Sequence, residues 1–130
     1  MFLPSLQKLD LTGSISLMRT PDFMGMPNLE YLDLEECMSL EEVHHSLGCC
    51  KELIELNLQS CGSLKRFPCV NVKSIKCLHL DGCCSLEKFP SIWGKMKPEI
   101  KIHVERSGLR KVPSAVIKHQ SSPTELDLSG

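Results

Sequence analysis

The sequence predicts an α/β repeat fold: a leucine-rich-repeat solenoid with short parallel strands on its concave face and irregular or short helical turns on its convex face. Three observations carry that prediction. The pattern L-x-x-L-x-L recurs as Leu6/Leu9/Leu11, Leu29/Leu32/Leu34, Leu53/Leu56/Leu58 and Ile75/Leu78/Leu80, with two weaker copies at Ile102/Val104 and Leu126/Leu128. The last anchors fall at 11, 34, 58, 80, 104 and 128, a spacing of 22 to 24 residues, inside the roughly 20–29 residues of a leucine-rich repeat. The rest of each unit repeats in step with the anchors.

Each part of the unit has a physical reason. In L-x-L, alternate side chains of an extended segment point to one face, so the leucines turn inward and the residues between them outward. Three residues after the last anchor stands a small side chain: Ser14, Cys37, Cys61, Cys83 or Ser107. At that turn a small donor can satisfy backbone carbonyls that the core would otherwise leave unpaired. Cys37, Cys61 and Cys83 are therefore expected to be structural turn residues. A further leucine (Leu17, Leu40, Leu64, Leu86, Leu109) buries the far side, and Pro21, Pro68, Pro90 and Pro113 stiffen the return path. His44 replaces proline in the second copy, and the fifth copy is one residue shorter before its leucine. Residues 1–130 thus read as one repeat array of about five units plus the first strand of a sixth, uncapped at both ends. Such abrupt ends suggest an excised segment or a partial product.

Composition sets outer limits. The chain has 15 Lys+Arg against 16 Asp+Glu and a net charge of −1, which argues against a nucleic-acid binder. No apolar run approaches the roughly 18 residues of a membrane helix, and no secretory leader is evident. The balance conceals a polarity: residues 1–65 carry −6 and residues 66–130 carry +5. Eight cysteines could mark a secreted disulfide scaffold. Their repeat placement, and the absence of an Asn-x-Ser/Thr site, favour reduced thiols in an intracellular protein.

Thr20-Pro21-Asp22-Phe23, Pro27-Asn28-Leu29-Glu30, the run from Leu32 to Leu47, Val43-His44-His45-Ser46-Leu47-Gly48-Cys49-Cys50 and Leu64-Lys65-Arg66-Phe67-Pro68-Cys69-Val70 carry a resemblance. Across essentially its whole length the chain resembles the leucine-rich repeats of plant TIR-type nucleotide-binding immune receptors, those of the nightshade family in particular. The resemblance implies a protein-interaction module for recognition and autoinhibition in an intracellular receptor, acting in defence signalling. It implies as partners the receptor's own nucleotide-binding core and a pathogen effector or guarded host protein. It implies residence in the cytoplasm, with the nucleus as a second compartment. No G-x-x-x-x-G-K-[ST] occurs, so phosphate cradling has no support, and the family's NADase and nucleotide-switch chemistry cannot be transferred to any residue of this chain.

No enzymatic activity, cofactor or metal is expected from the motifs. Paired carboxylates such as Glu35-Glu36 and Glu41-Glu42 lack a nucleophile–base–orienter set. His44-His45 with Cys49-Cys50 is the one local cluster that suggests metal, but adjacent cysteines lack zinc-ribbon spacing, and the segment reads better as a convex turn. Cys69 and Cys77 read as isolated thiols, and Phe67 and Phe89 as packing residues. Two other functions stay open: a thiol- or metal-dependent activity in the Cys/His content, and a truncated regulator of a full-length receptor. The expected partner-binding face is concave. It comprises Asp10, Glu30, Tyr31, Asp33, Glu35, Glu36, Glu55 and Asn57 towards an acidic end, and Lys76, His79, Lys101, His103 and Arg106 towards a basic one.

Overall fold

A computed structural model describes residues 3–95, 97 and 99–109. Pro113, Leu126 and Leu128, and with them the expected sixth strand, lie outside the described residues. Among the described residues seven three-residue strands follow in chain order: β1 (Lys8–Asp10), β2 (Tyr31–Asp33), β3 (Glu55–Asn57), β4 (Cys69–Asn71), β5 (Cys77–His79), β6 (Ser91–Trp93) and β7 (Lys101–His103). One parallel sheet runs β1-β2-β3-β5-β7, one strand per repeat, as a solenoid requires.

The register follows from the leucine spacing. Leu9, Leu32, Leu56, Leu78 and Ile102 stack side by side at the strand centres. From Leu32 onward this row is buried, as is the neighbouring row Leu34, Leu58, Leu80 and Val104. Leu40, Leu64, Leu86 and Leu109 close the core from the far side. Each such side chain contributes roughly 1.5–3 kcal/mol relative to an exposed one. In the first repeat Leu6, Leu9, Leu11 and Leu17 are only partly buried. The fifth repeat lacks a leucine at the expected first anchor. Ile100, one position later, fills that place and is buried; its N–H bonds to Lys97 O as Leu29 does to Met26 and Leu53 to Cys50.

Beyond the strands a second register appears. Gly13, Glu36, Ser60, Gly82 and Arg106, one per repeat, all have left-handed backbones with φ of 72°, 60°, 64°, 77° and 57°. The turn directs the amide of each of the first four residues to a carbonyl of the next repeat: Gly13 to Glu35, Glu36 to Gln59, Ser60 to Asp81 and Gly82 to Glu105. Those hydrogen bonds offset the strain that a side chain meets in this conformation.

The return side is more ordered than irregular turns alone. Early repeats carry short 3-10 turns at Phe23–Gly25 and His45–Cys49. Later repeats instead pair β4 with β6 as a separate two-stranded parallel sheet. A few residues before these elements, across the first three repeats, runs a ladder of single bridges, Arg19 to Glu42 to Arg66, in which the two guanidinium groups each reach the Glu42 carboxylate at 3.6 Å. Phe67 is buried and Phe89 packs partly buried against the core. No helix among the described residues is long and apolar enough to cross a membrane.

Candidate partner-binding face

The outward face of the sheet is a grid built by strand register. One row reads Lys8, Tyr31, Glu55, Cys77, Lys101, and the next reads Asp10, Asp33, Asn57, His79, His103. Thr12, Glu35, Gln59, Asp81 and Glu105 continue the pattern two residues further on, past the strand ends. Glu30 and Lys76 flank the strands on one side, and Glu36 and Arg106 lie in the left-handed row on the other. All the expected face residues thus fall on or beside one surface. The grid also adds residues that sequence reading leaves out. Lys8 joins the acidic end, and Asp81 and Glu105 join the basic end, so the charge does not grade evenly from one end to the other. Instead Glu30, Asp33, Glu35, Glu36 and Glu55 concentrate negative charge on repeats two and three. Tyr31, 40% exposed, stands among them. Tyr31, Asp33, Glu55 and Asn57 help line a shallow depression there.

Several of these side chains have structural work. Asp10, Asp33 and Asn57 each accept the N–H two residues on, from Thr12, Glu35 and Gln59 at 3.0, 3.0 and 2.9 Å. Thr12, through its hydroxyl and its amide, holds Asp10 below the ordinary carboxylate range. Asn57 Nδ2 donates to Glu35 at 3.0 Å across the strands. Glu30, Glu36 and Tyr31 are held by no comparable side-chain bond among the described contacts.

Behind the grid runs a row of thiols. Cys37 Sγ donates to Leu11 O at 3.1 Å, Cys61 to Leu34 O at 3.0 Å and Cys83 to Leu58 O at 3.1 Å. Each thiol thus reaches the carbonyl of the preceding repeat's last anchor. Desolvation pushes the Cys61 thiol up to about 12 and Cys83 higher still, while Cys50 is raised to about 11 and Cys37 in the same direction. Such thiols carry almost no thiolate at neutral pH and are poor nucleophiles. Cys49 and Cys84 are exposed. A brief iodoacetamide pulse is expected to label those two at least tenfold faster than Cys50, Cys61 and Cys83, read by peptide mass mapping. Equal labelling of Cys61 and Cys84 would refute the buried row.

The His44–Cys50 segment is absorbed by its own turn. His44 Nδ1 accepts the Ser46 amide at 3.1 Å, and the buried Ser46 hydroxyl accepts the Phe23 amide at 2.7 Å. Leu47 and Cys50 point inward, and Cys69 Sγ donates to His45 O at 2.9 Å. A different grouping forms on the strand face. Cys77 Sγ lies 3.1 Å from His79 Nε2, and Glu55 Oε2 lies 3.2 Å from the same nitrogen. A nucleophile–base–orienter relay needs its partners on opposite ring nitrogens; both partners here meet Nε2, so the three residues do not form one. His103 stacks on His79 with ring centroids 4.9 Å apart. Cys77 is therefore not isolated. The signal in the sequence is Cys77-x-His79 at strand period, with His103 one repeat later.

The chain is 58% identical over 124 residues to TMV resistance protein N of Nicotiana glutinosa, covering 95% of this chain and 11% of that protein. It is 35% identical over 129 residues to disease resistance protein RML1A of Arabidopsis thaliana, 98% of this chain and 12% of the relative. With disease resistance protein RPP4 of Arabidopsis thaliana it shares 34% identity over 91 residues, 69% of this chain and 8% of the relative. The chain therefore spans about a tenth of the length of these relatives. No family model and no solved structure matches it. Along nearly its whole length the chain is related to plant disease resistance proteins, and its fold is a leucine-rich-repeat solenoid.

Proposed function

We propose that the chain is the protein-interaction surface of an intracellular plant immune receptor, and that the acidic part of the strand face docks on a basic surface of the receptor's own nucleotide-binding core. The observation that carries this is the concentration of Glu30, Glu35, Glu36, Asp33 and Glu55 around exposed Tyr31, on a strand grid whose inward side is aliphatic. An aromatic with Lys8 on one side and mostly acidic side chains on the others suits a protein partner of predominantly opposite charge, with electrostatics setting orientation and salt sensitivity more than affinity. A pathogen effector or guarded host protein would compete for, or extend, the same face. Residence in the cytoplasm and nucleus follows from the same reading. No side chain here needs to perform chemistry for this role.

Charge reversal tests it. Glu30, Glu35 and Glu36 are changed to Lys in the full receptor, leaving Asp33, whose carboxylate holds the turn to Glu35. The expected outcome is about tenfold weaker co-precipitation of the core with its repeat region, a flattened salt dependence, and signalling without pathogen. Unchanged retention at unchanged salt dependence in a receptor that stays quiet would overturn the docking reading.

A further inference from the structure

We propose that Cys77, His79 and His103, completed by the Glu55 carboxylate, form a binding site for a divalent metal ion of the zinc class on the outward strand face. The inference is independent of the docking reading above.

Strand register places the donors. Cys77 and His79 are two residues apart on β5 and therefore share a face. Glu55 is the register partner of Cys77 on β3, and His103 is the partner of His79 on β7. Four donors thus occupy adjacent grid points on three neighbouring strands. The ligand atoms of Cys77, His79 and His103 all lie within 4.8 Å of one another. In a tetrahedral site with Zn–S of about 2.3 Å and Zn–N of about 2.0–2.1 Å, ligand atoms stand roughly 3.3–3.7 Å apart. The observed 3.1 Å between Sγ and Nε2, and 3.2 Å between Oε2 and Nε2, are already close to that separation. An ion seated between them needs small outward shifts rather than a new backbone.

Donor chemistry selects the ion. One sulfur and two imidazoles suit zinc or cobalt and disfavour magnesium or calcium, which take oxygen ligands. The convergence of Sγ and Oε2 on one ring nitrogen fits a shared cation better than a proton relay. Binding would displace the thiol proton, releasing one H⁺ as the S–metal bond forms. Two features limit affinity. Lys101 is the register neighbour of Cys77 on β7 and adds a positive charge. The rings of His79 and His103 are nearly parallel, at 7°, so their in-plane lone pairs do not yet converge; His103 must turn its ring and give up the stack. His79, with its side chain 22% exposed, is the more enclosed ligand, and Glu55 at 44% the more open.

The test is titration of the 130-residue chain with Co²⁺, then displacement by Zn²⁺. Expected are one equivalent per chain, a thiolate-to-cobalt charge-transfer band, and its loss on adding zinc. Cys77→Ser should abolish the band, while Cys49→Ser and Cys84→Ser leave it. His79→Ala and His103→Ala should each weaken binding about tenfold or more, and Lys101→Ala should strengthen it. All these side chains face outward, so thermal unfolding without metal should match the parent chain and serve as the folding control. No charge-transfer band in the parent chain, a band that survives Cys77→Ser, or affinity indifferent to both histidine changes would each overturn the proposal.

Discussion

Cys61→Asp is expected to lower the unfolding free energy by about 3 kcal/mol or more, whereas Cys69→Ser costs about 1 kcal/mol or less. Cys61 is fully buried between the second and third repeats, where its thiol donates to Leu34 O and lies beside the Cys37 amide. An aspartate there has two outcomes, both unfavourable. Ionised, it is a desolvated carboxylate facing a carbonyl oxygen; protonated, it restores the donor but must overfill a site shaped for one sulfur. The first outcome carries a pH signature. The buried carboxyl's pKa is raised above its unfolded value, so the variant loses stability as pH rises through the unfolded pKa, and recovers part of it below that value. Cys69 is buried too, yet serine keeps the donor to His45 O at nearly the same reach. Urea denaturation of both variants, at neutral and acid pH, measures the contrast; comparable losses would sink the assigned register.

The second large effect is expected at Gly108, where alanine should cost about 2–4 kcal/mol. A Cβ at this position would fall on the Cys84 carbonyl oxygen, closer than real contacts allow, and within 3.0 Å of Leu86 O. Both obstacles are backbone, so no side-chain rotation relieves them. Gly108 also donates its N–H to Cys83 O at 3.0 Å, which anchors the fifth repeat to the fourth. The missing residue before Leu109 explains the tightness: a shorter path between Ser107 and Leu109 must press against the preceding unit. By contrast, Gly62→Ala meets only Cys84 Sγ at 3.7 Å and should be nearly neutral. Equal denaturation midpoints for the two alanine variants would contradict the close approach.

Much of the scaffold is legible in the sequence because it rests on a local rule. Leu32 and Leu34, or Leu56 and Leu58, are alternate residues of an extended segment, and a repeat of 22 to 24 residues stacks them whatever lies between. Ile100 escapes that rule because the segment before it alters the phase by one residue, and only the packed neighbours show which apolar side chain fills the gap. The β4–β6 pairing is hidden for a related reason: Cys69–Asn71 and Ser91–Trp93 share no repeated apolar pattern, and their pairing comes from stacking the units that carry them. On the outward face, the sequence alone points to Glu30 and Lys101 but not to Lys8, Asp81 and Glu105, since charge balance on a surface is set by register across strands. The setting of Cys77 is hidden by the same effect. Its partners are His79 on its own strand, and Glu55 and His103 on the strands either side, two of them a full repeat away in sequence.

The left-handed row bears on how the array melts. Gly13 and Gly82 take that conformation freely, while Glu36, Ser60 and Arg106 incur roughly 1–2 kcal/mol each. That penalty belongs to a single unit and is the same whether or not its neighbours are folded. Stacking free energy, by contrast, exists only between adjacent folded units. Units two, three and five are therefore weak alone and stable in company. In a one-dimensional array this shifts the balance from self-sufficiency to coupling, which makes a boundary between folded and unfolded units costly. The solenoid is driven towards unfolding as one block, and its outward strand face stays intact until the whole array gives way.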